Sequence, residues 1–186
     1  MTSGRAALFL DRDGVINSDR PDYVRSWAGF EFLPGVLEAL RILAARPHPV
    51  IVVSNQSAIG RGLVSRETVD GIHASMREAV RRSGGRIDAV YYCPHRPDEN
   101  CECRKPRPGL ILRAAADLDL DLRGSYFIGD DLKDLQSAVS AGVRPVLVRT
   151  GHGRSIPAGD LAGVSRSLEV FDDLLEAVKG LFGVRV

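Results

Sequence analysis

The sequence has no long apolar run, no excess of either charge and few cysteines, and each shortage closes off a class of function. The first apolar stretch, Ala6 to Leu10, is too short for the core of a secretory signal, and no uncharged segment approaches the ~20 residues of a membrane span. The expectation is a cytoplasmic protein with no membrane partner. The 25 lysines and arginines are matched by 24 aspartates and glutamates, leaving a net charge of +1, so no global field attracts nucleic acid. Aromatic and basic residues do not interleave as they do in readers of single strands, which speaks against a nucleic-acid partner. There is no internal repeat and no low-complexity tract. The cysteines are Cys93, Cys101 and Cys103; an odd, clustered set makes a poor disulfide framework and points to a metal site.

What remains is an ordinary globular composition, 44% hydrophobic and 26% charged over 186 residues, which predicts one domain over 1–186 with one sizeable core; a monomer is the expectation, though no pattern in the residues fixes it. Short apolar or β-branched runs at Ala6–Leu10, Pro49–Val53, Ala89–Tyr92, Ser125–Ile128 and Pro145–Val148 suit strands buried on both faces. Helical spacing fills the gaps at Pro34–Ala45, after a capping Ser65, and at Pro108–Leu120, Leu132–Ala141 and Val170–Leu181. Strands alternating with helices imply right-handed crossovers, hence a doubly wound, Rossmann-like α/β fold with a parallel sheet. Ligands then gather beyond the carboxyl ends of the strands, at the segments opening on Asp11, Ser54 and Asp130.

Each of those segments carries polar groups with chemistry of their own. In Asp11-Arg12-Asp13-Gly14, two carboxylates one alternation apart repel each other; a divalent cation would relieve that, and Gly14 allows a sharp turn near an anion. The bland alternative is a pair of turn aspartates. Ser54-Asn55-Gln56-Ser57 offers hydroxyl and amide donors for phosphoryl oxygens, or simply shapes a turn. Lys105, in Arg104-Lys105-Pro106-Arg107-Pro108-Gly109, can place a fixed cation before a helix, or belong to a solvated basic loop. Gly129-Asp130-Asp131, followed by Asp134, presents oxygen ligands suited to Mg²⁺, while Asp131 or Asp134 can instead cap the helix near Leu132. Finally Cys93, His95, Cys101 and Cys103 form a soft donor set for tetrahedral Zn²⁺; with all four positions filled the ion would be structural, stiffening a loop over about 93–108. Redox-active thiols are the rival reading.

The four motifs, in this order and at these positions, resemble the haloacid dehalogenase superfamily of phosphatases. The resemblance implies that Asp11 is the nucleophile forming an aspartyl phosphate, that Asp13 is the general acid and base, and that Ser54 and Lys105 stabilise the transferred group. It also implies that Mg²⁺ is held by Asp11, Asp130 and the backbone carbonyl of Asp13, with no large cap domain. The zinc loop leading into Arg-Lys-Pro-x-Pro-Gly, with Asp-Arg-Asp-Gly-Val-Ile-Asn, Ser-Asn-Gln-Ser, Tyr-Tyr-Cys-Pro-His and Leu-Val-Arg-Thr-Gly (147–151), is similar to the D-glycero-D-manno-heptose 1,7-bisphosphate 7-phosphatase branch. That branch implies a small sugar bisphosphate as substrate and heptose 1-phosphate as product, feeding nucleotide-activated heptose synthesis. By the same resemblance Asp19, Arg20, Pro21 and Asp22 contact substrate together with Ser54 to Ser57 and Lys105, while Arg104, helped by Arg61 or Arg107, recognises the distal phosphate. Asp131 is a departure: members of the branch often carry lysine at this substrate-facing position. Histidinol-phosphate phosphatases share the zinc loop and the aspartates, and the Pro108-Gly109 pair favours the heptose reading. A noncatalytic zinc-organised binding module is the alternative of another class.

Overall fold

The structure is a computed structural model and describes residues 4–165 and 168–183. The apolar runs become β1 (Arg5–Leu10), β2 (Val50–Asn55), β3 (Ala89–Cys93), β4 (Leu120–Gly129), β5 (Arg144–Val148) and β6 (Glu169–Phe171). They form a six-stranded sheet in the order β3-β2-β1-β4-β5-β6, parallel at every pairing. This is the doubly wound order whose switch point lies at the carboxyl end of β1.

Period-2 alternation distributes the central strands between two cores. Leu8, Leu10, Val50, Val52, Ile128, Val146 and Val148 face one side, where α1 (Val36–Ala44), α2 (Arg66–Arg82) and α6 (Leu174–Phe182) cover them. Ala7, Phe9, Ile51, Val53 and Phe127 face the other, under α3 (Gly109–Leu118) and α4 (Leu132–Ser140). A short α5 (Ala158–Ala162) follows β5. Because both faces are covered, the polar groups at the strand ends are pushed to one rim. Among the described residues no large cap domain interrupts the elements, and no helix is long and apolar enough to cross a membrane.

The structure corrects three boundaries. The helix expected to reach Leu120 stops at Leu118, because Asp119 turns left-handed (φ 51°); Leu120 then opens β4, whose pairing with β1 is offset by a bulge between Ala6 and Leu8. Ser125 bridges that irregularity by accepting the Ala7 amide at 2.8 Å. The helix expected from Val170 begins only at Leu174, since Asp173 caps it by accepting from Glu176 N, and Val170 lies in β6 instead. In α1 the helix starts at Val36, after a left-handed Gly35 (φ 76°), so Pro34 stands before the first turn rather than in it.

Candidate active site

Three strand ends meet at the switch point. Asp11 follows β1 and is drawn toward β4 by its amide, which donates to Ile128 O at 3.0 Å. Asp130 follows β4, and Asp134 lies one helical turn further, in α4. One carboxylate oxygen from each of Asp11, Asp130 and Asp134 lies within 4.8 Å of the other two. They line a cavity of about 370 Å³, at its buried end.

Lys105 prevents this cluster from being a pure repulsion. Its side chain is 2% exposed, and its ammonium lies 2.8 Å from Asp11 Oδ1 and 2.7 Å from Asp134 Oδ1, with a third bond to Val53 O at 2.8 Å. All three donors are used. Burial works against its charge, but Asp11 and Asp134 outweigh it and hold the ammonium protonated. The backbone around it is fixed by a reciprocal pair: Asn55 Nδ2 donates to Lys105 O and Lys105 N to Asn55 Oδ1, each at 3.1 Å.

One lysine cannot neutralise three carboxylates. Asp11 is pushed up to about 7, first by burial and then by Asp134. Asp130 is pushed up to about 8 by burial and by the charges of Asp11 and Asp134, against a hydrogen bond from the His152 amide at 2.8 Å. Asp134 has both oxygens occupied, Oδ1 by Lys105 and Oδ2 by the amides of Asp130 and Asp131 at 3.2 and 3.1 Å. Asp11 Oδ1 accepts from Arg12 N at 2.7 Å as well as from Lys105. Among the described residues Asp11 Oδ2 and Asp130 Oδ1 have no hydrogen-bond partner, so these are the oxygens free for a cation or an electrophile. The hard-oxygen set, the deficit of positive charge and the raised carboxyls together fit a dication such as Mg²⁺. Space for Asp130 depends on two glycines with positive φ, Gly14 (82°) and Gly151 (51°); a Cβ on either would collide with Asp130 Oδ2.

Asp13 faces the same cavity in a different environment. Its Oδ1 receives Arg12 Nε at 3.2 Å, Arg12 Nη2 at 2.8 Å and Asn17 Nδ2 at 2.9 Å. Its Oδ2 receives Arg12 Nη2 at 2.9 Å and Gln56 Nε2 at 2.8 Å. Burial would raise this carboxyl, but the Arg12 charge and the hydrogen bonds hold it below the ordinary range. Two neighbouring aspartates are thus driven in opposite directions, which gives two carboxylates of one site different chemistry.

The remaining expected residues separate. Asp19, Arg20, Pro21, Ser54, Asn55, Gln56, Ser57, Arg61, Arg104 and Asp131 line the cavity. Asp22 does not; it pairs with Arg20 at 3.2 Å. Arg107 lies outside as well, donating to the carbonyls of Asn100 and Cys101. Ser54 is buried and its hydroxyl accepts from Gln56 Nε2 at 2.8 Å. Asp131 is the N-cap of α4, taking the Lys133 amide at 3.0 Å and its ammonium at 3.1 Å, and Asp134 completes the capping box. Arg104 donates to His95 O at 3.3 Å, tying the cavity wall to the cysteine loop.

In that loop Cys93 Sγ stands 3.5 Å from Cys101 Sγ, 3.2 Å from Cys103 Sγ and 3.5 Å from His95 Nδ1. Cys103 Sγ is 3.3 Å from His95 Nδ1 and 3.5 Å from Cys101 Sγ. These separations are far beyond the ~2 Å of a sulfur–sulfur bond. They approach the edges of about 3.8 Å expected of a tetrahedron with metal–sulfur bonds of about 2.3 Å, so the donors fit Zn²⁺. The loop docks on the turn after β2 through Gln56 N to Cys93 O at 2.7 Å and Gly60 N to Pro94 O at 2.9 Å.

Residues 102–177 match the HAD-hydrolase-like family. The chain is 38% identical over 182 residues to the D-glycero-beta-D-manno-heptose-1,7-bisphosphate 7-phosphatase of Pseudomonas aeruginosa, covering 95% of this chain and 98% of the relative. It is 41% identical over 188 residues to the enzyme of the same name from Escherichia coli K12, covering 96% of each. The crystal structure of the D,D-heptose 1,7-bisphosphate phosphatase of B. bronchiseptica, complexed with magnesium and phosphate, superposes with a TM-score of 0.89 at 40% identity, over 96% of this chain and 98% of that one. The chain belongs to the heptose-bisphosphate 7-phosphatase family, among the haloacid dehalogenase-like hydrolases.

Sequence reasoning missed several residues of this heptose-bisphosphatase-type site. Arg12 and His73 are almost wholly buried beside Asp13, at 1% and 5% exposure, whereas an arginine between two aspartates reads as solvated. His152 closes one wall, its Nε2 3.5 Å from Asp19 Oδ2, and no motif announces it. Asp134, open in the sequence between a cation ligand and a helix cap, completes the capping box; its further task of holding Lys105 could have been found from its position one turn after Asp130.

Proposed function

We propose that this chain is a magnesium-dependent phosphatase that removes the 7-phosphate of D-glycero-D-manno-heptose 1,7-bisphosphate through a phosphoryl-aspartate at Asp11. The observation that carries the reading is the buried cluster of Asp11, Asp130 and Asp134 around Lys105, with Asp11 Oδ2 left open to the cavity. The relatives' names supply the substrate, and with it the β anomer.

Asp11 Oδ2 attacks phosphorus as the bond to the sugar oxygen breaks, and Asp13 gives that oxygen its proton. Water then attacks the phosphoryl-aspartate, Asp13 takes the water proton, and Asp11 is regenerated. Lys105 fixes Asp11 and balances charge on the transferred group together with the Ser54 hydroxyl. Asp11 and Asp130, with the backbone of Asp13, would hold Mg²⁺, which would supply the positive charge that the cluster lacks. At the rim Asp19, Arg20 and Pro21, with Asn55 to Ser57, face the sugar, and Arg104 with Arg61 takes the distal phosphate; Asp131 serves by fixing Lys133 rather than by touching phosphate. The protein is proposed to act as a single-domain, cytoplasmic monomer on this small molecule, with Zn²⁺ on Cys93, His95, Cys101 and Cys103.

Purified protein should release phosphate faster from heptose 1,7-bisphosphate than from histidinol phosphate, and from its β anomer faster than its α anomer; preference for histidinol phosphate would overturn the substrate assignment. Protein prepared without added zinc should carry close to one zinc per chain, and Cys101→Ser should lose both the metal and most turnover, since Arg104 and Lys105 follow the loop. Full activity of a zinc-free preparation would count against that coupling.

Magnesium binding should depend on pH. With Asp11 and Asp130 held near 7 and 8, the cation must displace protons, so apparent affinity should rise from pH 6 to 8 by roughly tenfold per pH unit for each proton displaced. Stability of the metal-free protein runs the other way. Both carboxyls sit above their ordinary 3.8 when folded, so their contribution is fully present below that value and is lost as pH rises through 7 to 8. Thermal melts with and without Mg²⁺ should therefore diverge as pH rises, and parallel curves would contradict the assignment.

A further inference from the structure

Arg12 is an expensive residue to bury. Taking its guanidinium out of water costs several kcal/mol unless its donors find partners, and here each of its three nitrogens has one. Asp13 receives the Nε and Nη2 side of the fork. On the other side Nη1 lies 3.0 Å from His73 Nε2. A guanidinium can only donate, so Nε2 accepts, the His73 proton sits on Nδ1, and the ring is neutral. His73 belongs to the buried stripe of α2, whose other members are Val69, Ile72, Met76 and Val80, a setting in which packing alone asks for an aliphatic side chain. Its ring is held against Tyr92, with centroids 5.2 Å apart. The line from α2 through His73 and Arg12 thus ends on the carboxylate of Asp13.

We propose that Arg12 and His73 are positioning residues that fix Asp13 for its two proton transfers. This rests on the phosphatase reading above, in which Asp13 is the acid and then the base. In the fork both oxygens of Asp13 accept hydrogen bonds from groups that can only donate there, so this position receives the carboxylate form. As the Asp11–phosphorus bond forms and the bond to the sugar oxygen breaks, Asp13 gives that oxygen its proton, and the fork holds the carboxylate so produced. There it faces the water whose proton it takes as the Asp11–phosphate bond breaks. Asn17 and Gln56 alone leave the carboxylate free to turn; the planar fork fixes its plane, and His73 fixes the fork.

A positioned acid matters only when the leaving group needs a proton. The test is a single-turnover measurement of leaving-group release from heptose bisphosphate, which departs as an alkoxide, and from p-nitrophenyl phosphate, whose phenolate needs no proton. Arg12→Lys keeps the charge and loses the fork; it should slow sugar release on the order of 10²-fold more than nitrophenol release. His73→Leu should move the same ratio by roughly tenfold, and His73→Gln, which restores an acceptor at the position of Nε2, should return most of it. Equal slowing of both substrates, or an unchanged ratio in the His73 variants, would overturn the proposal, because a merely structural role or a lost charge affects both alike. If Arg12→Lys fails to fold, the His73 pair decides. Asp13→Asn separates the two levels of argument: a ratio shifted by Asp13→Asn and untouched by Arg12 and His73 variants removes this inference only. Wild-type protein that releases no phosphate from either ester removes the phosphatase reading and this inference with it.

Discussion

Asp11→Asn should abolish phosphate release from heptose bisphosphate, by roughly 10³–10⁶-fold, because the amide cannot form the phosphoryl intermediate on which both half-reactions depend. The substitution is nearly isosteric and keeps the hydrogen bonds that Oδ1 accepts from Arg12 N and Lys105. It also removes a charge that burial and Asp134 disfavour, since Asp11 is held up at about 7. The variant should consequently melt no lower than wild type in the absence of Mg²⁺, and higher above pH 7. Loss of turnover with retained or increased stability would separate chemistry from folding in one experiment. Retention of more than about a hundredth of wild-type turnover would exclude Asp11 as the nucleophile.

Lys105→Met should be costly in both respects. The lysine side chain is 2% exposed and bridges Asp11 and Asp134, so methionine fills the space and leaves two buried carboxylates and the Val53 carbonyl without their partner. Breaking a buried pair from one side costs about 3–5 kcal/mol. The missing charge at the reacting centre should lower turnover by a further 10²–10³-fold, roughly as for loss of one preorganised donor. The sign with pH is specific: Lys105 holds the Asp11 carboxyl down against burial, so without the ammonium that carboxyl rises further, and denaturant unfolding should reveal the largest deficit near pH 8 and a shrinking one toward pH 5. A variant as stable as wild type at pH 8 would refute the balance of charge described here.

How much of this was legible in the sequence depends on the distance over which each feature is specified. Runs such as Val50–Val53 and Ser125–Ile128 carry their own reason to be buried, and the strand order with its switch point followed. The four zinc donors fall within one short segment, so their grouping was visible too. Boundaries failed where a single cap outweighed a long pattern: Asp173 overrode the apolar spacing from Val170, and Asp119 stopped α3 in a left-handed turn. Within the site, the acid residues were legible because they follow strands. The fate of Asp13 was not, since its orientation is set by His73 from a helix some 60 positions downstream, a separation of 61 from Arg12. Asn55 lines the cavity and also holds the Lys105 backbone, a pairing between distant segments that no local motif encodes.

That last pairing bears on how such an enzyme can diverge. Lys105 is anchored to the end of β2 by Asn55, while the stretch from Arg96 to Asn100 hangs between Cys93 with His95 and Cys101 with Cys103 and touches neither Lys105 nor the carboxylates by any described hydrogen bond. Because that stretch also lies outside the residues that line the cavity, replacements or insertions there need not move the atoms that break the phosphate ester. The loop is thus a segment whose length and sequence selection, or a protein engineer, can change while leaving the chemical step largely intact.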